Sequence, residues 1–109
     1  MGERTSHTAS VRAWIERPLR VLLRTYGVEE AFLFGSWARA DADALSDIDL
    51  VIVAPSTRPF VERFRDYPQI WKTAPAAIDL LIYTPEEFRR QRRENRFLRH
   101  VLKYARKLT

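Results

Sequence analysis

The stretch from residue 31 to residue 53 constrains the fold more than any other part of this chain. It contains an apolar run, the pair Gly35-Ser36, a polar loop, and a second apolar run that opens with Asp47 and Asp49. Residues i and i+2 of a strand point to the same side, so both carboxylates are predicted to share one face of a buried strand. Burying carboxylates is costly unless positive charge meets them. The stretch therefore predicts two strands and a site that attracts a cation.

A third aspartate, Asp79, stands between Ile78 and Leu80 in another apolar run. Three acids in buried strands would repel one another, and they would either stay protonated or gather a cation. Carboxylate oxygens are the ligands that Mg²⁺ prefers, whereas the absence of cysteine and the remote positions of both histidines argue against zinc. For Asp47 alone an ordinary role stays open, because an aspartate at the start of a strand often caps a turn.

Gly35-Ser36 directly follows the first apolar run. A glycine there lets the backbone approach a ligand closely, and a short helical turn beginning at Ser36 would direct free N–H groups at an anion. A phosphate held beside Mg²⁺ is the arrangement used for phosphoryl or nucleotidyl transfer. Taken alone, Gly-Ser is more often a plain turn, and its significance comes from the nearby aspartates.

The remaining pattern predicts an α/β domain that spans residues 1–109, with helices over a short mixed sheet. After a frayed start at residues 1–8, an amphipathic helix is expected over residues 10–26, interrupted at Pro18 and ended by Gly27. Ser56-Thr57 should cap a helix over residues 58–67 that carries Phe60, Val61 and Phe64. Strands are predicted at residues 28–34, 47–54 and 76–83, and a last helix, opened by the capping sequence Thr84-Pro85-Glu86-Glu87, should reach about residue 107. Ile70 and Trp71 should pack on the core.

Composition limits the expected cellular location and the kinds of partner. No apolar run approaches the roughly 20 residues of a membrane helix, and no signal peptide is recognisable, so a cytoplasmic protein without membrane contact is expected. The net charge of +5 is uneven, because residues 86–109 carry nine Lys or Arg against three Glu. Such a segment can contact a nucleotide, an acidic partner or nucleic acid, although direct nucleic-acid binding is not favoured. The alternative is a solvated helix face.

The motifs resemble a known family. Gly35-Ser36, ten residues, then Asp47-Ile48-Asp49 is similar to the signature of the DNA polymerase beta-type nucleotidyltransferase superfamily. The flanking residues resemble its minimal nucleotidyltransferase branch, Asp79 matches the third carboxylate, and residues 95–102 resemble the last helix. The resemblance covers about residues 28–105 and implies the palm-like fold of that superfamily. One departure is Ala40, where the family often has glycine.

The resemblance also implies roles. Asp47 and Asp49 would hold two Mg²⁺ ions, and Asp79 would complete the catalytic metal site and help to deprotonate an acceptor hydroxyl. Ser36 and the amides around Gly35 would bind the distal phosphates of a nucleoside triphosphate, with ATP expected as substrate. Arg39 would contact phosphate as well, with an ion pair to Asp41 or Asp43 as the equally weighted alternative.

Members of this branch are often encoded beside a HEPN ribonuclease toxin, and as antitoxins they bind the toxin and transfer AMP to it. The resemblance thus implies a HEPN-type partner, and the arginine-rich last helix and exposed aromatics are candidate contact surfaces. Two alternatives stay open: an enzyme that modifies a small hydroxyl compound of the aminoglycoside type, and an antitoxin that neutralises its partner by binding alone. The sequence shows neither which nucleotide is used nor whether the chain forms a homo-oligomer.

Overall fold

The computed structural model describes residues 3–43 and 45–109, and within them a four-stranded mixed sheet forms the centre of the molecule. Its strands are β1 (Glu30–Phe34), β2 (Ile48–Val53), β3 (Ile78–Tyr83) and β4 (Arg106–Lys107). Their order across the sheet is β3-β2-β1-β4, with β2 parallel to β3 and β1 antiparallel to both of its neighbours. The mixed sheet and the three longer strands confirm the predicted fold class.

Helices cover both faces of this sheet. They are α1 (Glu3–Glu16), α2 (Pro18–Tyr26), α3 (Ser36–Arg39), a 3₁₀ helix (Phe60–Asp66), α4 (Pro68–Thr73), α5 (Pro85–Glu94) and α6 (Arg96–Tyr104). One face packs on α1, α2 and α4 through alternate buried residues of the two central strands, including Leu33 and Leu50. The opposite face packs on α5 and α6 through Val51 and Phe32. No helix within residues 3–43 and 45–109 is long and apolar enough to cross a membrane.

The two amino-terminal helices are divided and end where the sequence predicts an interruption and a C-cap. Pro18 opens α2, and Gly27 ends it in the left-handed conformation with φ 70°. The expected frayed start was wrong from residue 3 onward, because α1 already begins at Glu3. Residues 1–2, also part of that expectation, lie outside the described residues.

The predicted long carboxy-terminal helix was wrong in its extent. It opens as expected with a capping box between Thr84 and Glu87, but it is divided at Asn95, whose side chain accepts a hydrogen bond from the Leu98 amide and so caps a new helix. The chain then leaves α6, and Arg106–Lys107 pairs with β1. This pairing provides hydrogen-bond partners for backbone groups on the outer edge of β1. Those groups would have had no partner in the sheet if the helix had continued.

The segment between β2 and β3 was also predicted imperfectly. Ser56-Thr57 does not cap a helix, because the helical segment is a 3₁₀ helix that begins at Phe60, after Pro59. Its buried residue is Arg63, while Phe60, Val61 and Phe64 are exposed. Ile70 is buried as expected, whereas Trp71 is 37% exposed.

Candidate active site

Strand pairing brings the predicted acids and the glycine together at one end of the sheet. Asp49 lies opposite Asp79 in the parallel pair β2–β3 and opposite Phe34 in the antiparallel pair β1–β2. Gly35 follows Phe34 directly, and Asp47 precedes β2. Residues 35, 49 and 79, which are distant in sequence, therefore meet at the same end of the sheet.

The three carboxylates differ in their surroundings. Asp49 is half-buried, and burial together with the nearby carboxylates of Asp79 and Asp47 raises its pKa to about 6. Asp47 and Asp79 are exposed, so the expectation of three buried acids was wrong for these two. Asp79 is open to solvent because β3 is an edge strand of the sheet.

Gly35 is required by its backbone and by the space around it. Its φ of 73° lies where side chains are disfavoured, and a Cβ atom added there would lie 2.6 Å from Oδ2 of Asp49. The backbone between β1 and α3 thus packs directly against the Asp49 carboxylate. A ligand bound to this backbone would sit next to that carboxylate.

The short helix predicted after Gly35 is present as α3 and is anchored to the loop that leads to Asp47. The indole N–H of Trp37 donates to the carbonyl oxygen of Ser46 at 3.2 Å, and the Leu45 amide donates to the Asp43 carboxylate at 2.8 Å. Ser46 closes this loop, because its amide donates to the carbonyl oxygen of Asp43 at 3.1 Å. Ala44 of the predicted loop lies outside the described residues.

Ala40 ends α3 in the left-handed conformation, with φ 63°. This conformation is unfavourable for a residue with a Cβ atom and is adopted readily by glycine. The geometry gives a physical reason for the glycine that the resembling sequences often carry here, and the alanine leaves strain at the end of α3.

Arg39 forms the alternative contact considered from the sequence. Its Nε lies 3.3 Å from Oδ2 of Asp41, and both side chains are more than half exposed. An exposed ion pair of this kind contributes little to stability, so Arg39 can exchange Asp41 for another anion at small cost. Its contact with phosphate stays a prediction.

The donor set at this edge fits a hard cation such as Mg²⁺. Asp47, Asp49 and Asp79 offer only carboxylate oxygens, and burial together with the like charge of Asp79 and Asp47 raises the pKa of Asp49. Within residues 3–43 and 45–109, no three ligating side chains already converge on a metal-sized space. A cation would therefore have to draw the carboxylates together, which their mutual repulsion opposes in its absence.

Two clefts flank these acids. One, of about 190 Å³, is lined by Asp79 with Phe64 and Trp71. The other, of about 200 Å³, lies between the Gly35–Arg39 segment and α6, and its further lining residues include Phe97, His100 and Tyr104. The sequence did not single out these cleft residues, because Phe97, His100 and Tyr104 belong to no recognisable site motif.

Comparison with known proteins gives a consistent picture. The family described as Nucleotidyltransferase domain matches residues 15–104. The chain resembles the crystal structure of a toxin-antitoxin with AMP-PNP (20% identity, 86% of this chain and 72% of that chain covered, TM-score 0.61). A mutant of the toxin-antitoxin MntA-HpeT is similar (18% identity, 86% of this chain and 71% of that chain covered, TM-score 0.58). A candidate nucleotidyltransferase from Sulfolobus solfataricus is similar as well (22% identity, 83% of this chain and 84% of that chain covered, TM-score 0.56). None of the curated proteins matches.

Proposed function

Because the chain belongs to the family of nucleotidyltransferase domains, we propose that it transfers AMP from ATP to a hydroxyl group of a partner protein with the help of Mg²⁺. The observation that carries this proposal is the position of Asp49. Its half-buried carboxylate lies against the Gly35 backbone and pairs in register with Asp79, and burial and the neighbouring carboxylates of Asp79 and Asp47 raise its pKa to about 6. A half-buried carboxylate whose pKa is raised beside other acids is typical of a functional site.

Each site residue then has a defined task. Asp47, Asp49 and Asp79 would hold Mg²⁺, which when bound neutralises phosphate charge and polarises the phosphorus centre. Ser36 and the backbone at Gly35 would bind the distal phosphates, with Arg39 as a further cationic contact. These groups orient the α-phosphorus toward the acceptor.

The transfer exchanges one P–O bond for another. The acceptor oxygen attacks the α-phosphorus while the bond from that phosphorus to the leaving pyrophosphate oxygen breaks. The acceptor hydroxyl proton passes to the carboxylate of Asp79. The exposure of Asp79 on an edge strand suits this role, because an acceptor carried by another molecule must reach it from solvent.

We further propose that the acceptor is a HEPN-type ribonuclease toxin and that the chain is its antitoxin. Supporting this, two of the similar structures are toxin-antitoxin structures. The chain also offers a cationic surface on α5 and α6, where several arginines form no ion pair with the described side chains: Arg89, Arg90, Arg92, Arg93, Arg96 and Arg99. A partner with acidic groups would complement this surface.

Incubation with ATP labelled at the α-phosphate, Mg²⁺ and the product of the neighbouring gene tests the proposal. We expect label on that protein, loss of label with Asp49→Ala, and unchanged labelling with Asp66→Ala, a matched control because Asp66 is an exposed aspartate that pairs with Arg58. Labelling that survives Asp49→Ala would contradict the mechanism. Tight binding without label would indicate neutralisation by contact alone, and label on small hydroxyl compounds would indicate the aminoglycoside type of acceptor.

A further inference from the structure

The cleft between the Gly35–Arg39 segment and α6 adjoins the proposed phosphate site. Gly35 and Arg39 contribute to its lining, and Phe97, His100 and Tyr104 contribute from α6. Its volume of about 200 Å³ is below the roughly 300–1,000 Å³ typical of sites that enclose a whole small molecule. The cleft is therefore suited to one ring system of a larger ligand whose remainder lies outside it.

The aromatic rings of α6 each contact a neighbouring ring and are still open to solvent. Phe97 packs its ring edge to face on Phe34, and Tyr104 packs in the same way on His100 with ring centres 5.4 Å apart. Nevertheless, Phe97 is 54% and Tyr104 is 56% exposed, because the core-facing positions of α6 are occupied by Leu98 and Val101. Exposed aromatic faces are the surfaces on which nucleic-acid bases stack.

The walls of the cleft carry positive charge, and the nearby Asp49 carboxylate lies against Gly35 rather than in the lining. Arg39 belongs to the lining, the ammonium group of Lys103 lies 5.8 Å from the ring centre of Tyr104, and no carboxylate is found among the described residues that line the cleft. The only acidic neighbour shown for Arg39 in the described part of the chain is the exposed Asp41. Aromatic faces on one wall and a replaceable cation on the other match a nucleotide better than an uncharged ring.

We propose that this cleft binds the base of the nucleotide substrate, with Tyr104 and Phe97 as stacking residues and Arg39 directed to its phosphates. The inference rests on the proposed function and extends it, because it assigns the base to α6 and separates base binding from phosphate binding. Stacking accepts any base, so the cleft explains affinity for nucleotides without selecting among them.

Binding of α,β-methylene-ATP, which cannot release pyrophosphate, is compared with binding of inorganic tripolyphosphate, each with Mg²⁺, by calorimetry. Tyr104→Ala and Phe97→Ala should each weaken binding of the nucleotide about tenfold and leave binding of tripolyphosphate unchanged. Arg39→Gln should weaken both. Phe60→Ala is the matched control, since Phe60 is 39% exposed but lines neither cleft.

The outcomes separate this inference from the function on which it rests. If wild type binds both ligands and the α6 variants bind the nucleotide as tightly as wild type, or lose both ligands equally, the base site is wrong and the proposed function stands. If wild type binds neither ligand, both proposals fail. Both α6 side chains are more than half exposed, and unchanged thermal unfolding of the variants would show that a loss of binding is not a loss of fold.

Discussion

Two carboxylates near opposite ends of β3 have opposite surroundings, one beside other acids and one beside a cation. At its start, Asp79 faces Asp49, and the pKa of Asp49 rises to about 6 through burial and like charge. Just beyond its end, the Glu87 carboxylate accepts hydrogen bonds from Nη1 and Nη2 of the buried Arg63, at 2.5 and 3.1 Å, and from the Thr84 amide. The hydrogen bonds from Arg63 are the main cause that lowers the pKa of Glu87 to about 2.

The difference shows that the fold can satisfy a partly buried carboxylate and does not do so at Asp49. Arg63 also donates to the carbonyl oxygens of Ile82 and Arg58, so the pair with Glu87 fastens the 3₁₀ helix and α5 to β3. Asp49 has the Gly35 backbone and two further acids as neighbours. A charge left uncompensated in an otherwise satisfied structure indicates a place where a ligand completes the site.

Replacing the uncompensated acid tests this contrast with the largest expected effect. Asp49→Asn should lower the rate of nucleotide transfer roughly a thousandfold, because metal-assisted charge stabilisation contributes several kcal/mol. The free energy of unfolding of the metal-free variant at pH 8 should equal or exceed that of wild type, because like-charge repulsion is relieved. Urea unfolding and the labelling assay, with Asp66→Asn as control, measure both. Strong destabilisation would show that Asp49 is structurally bonded.

Breaking the satisfied pair should have the opposite consequence. Glu87→Gln should destabilise the protein by about 3 kcal/mol, because it leaves the buried guanidinium of Arg63 without its counter-charge. Glu86→Gln is the matched control, since Glu86 lies beside it on the exposed side of α5. Urea unfolding checks both variants, and equal midpoints would contradict the structural role of the pair.

The pH dependence of stability should distinguish the two acids by sign. Since the pKa of Asp49 in the folded state, about 6, lies above its ordinary 3.8, the metal-free protein should lose about 1 kcal/mol as pH rises from 4 through 6, after allowance for solvent screening. Since the pKa of Glu87 is lowered, its contribution is present above its ordinary pKa of 4.5 and is lost as pH falls toward 2. When the free energy of unfolding is plotted against pH, Asp49→Asn should lack the fall between pH 4 and 6, and Glu87→Gln should lack the fall toward pH 2. The same pH dependence for wild type and both variants would contradict these pKa shifts.

The smallest effect concerns backbone strain beside the acids. Ala40→Gly should stabilise the protein by about 0.5 kcal/mol, because relief of the left-handed strain slightly exceeds the added entropy of the unfolded chain. Gly27→Ala is the reverse test, since Gly27 has φ 70° and no atom within 4 Å of an added Cβ, and it should cost about 1 kcal/mol. If both substitutions left the free energy of unfolding unchanged, the left-handed conformation at Ala40 would not be a source of strain.

What the sequence predicted well was local. The strand around Asp49, the Gly35 turn and the capping box at Thr84 each follow from short patterns, and the structure has all of them. The burial of Arg63 depends on Glu87, 24 residues away, and no local pattern contains it. Asn95 did carry a signal, because an asparagine three residues before Leu98 can cap a helix, but the surrounding polar residues continued the helical pattern.

The most direct test is a carboxyl NMR titration of Asp49 and Glu87 in the same sample, with and without Mg²⁺. We predict a pKa of about 6 for Asp49 that falls clearly when Mg²⁺ is added, and a pKa of about 2 for Glu87 that does not respond. An Asp49 pKa near its ordinary value of 3.8 that is unchanged by Mg²⁺ would contradict the conclusion that this acid lies beside like charges at a site for a metal ion.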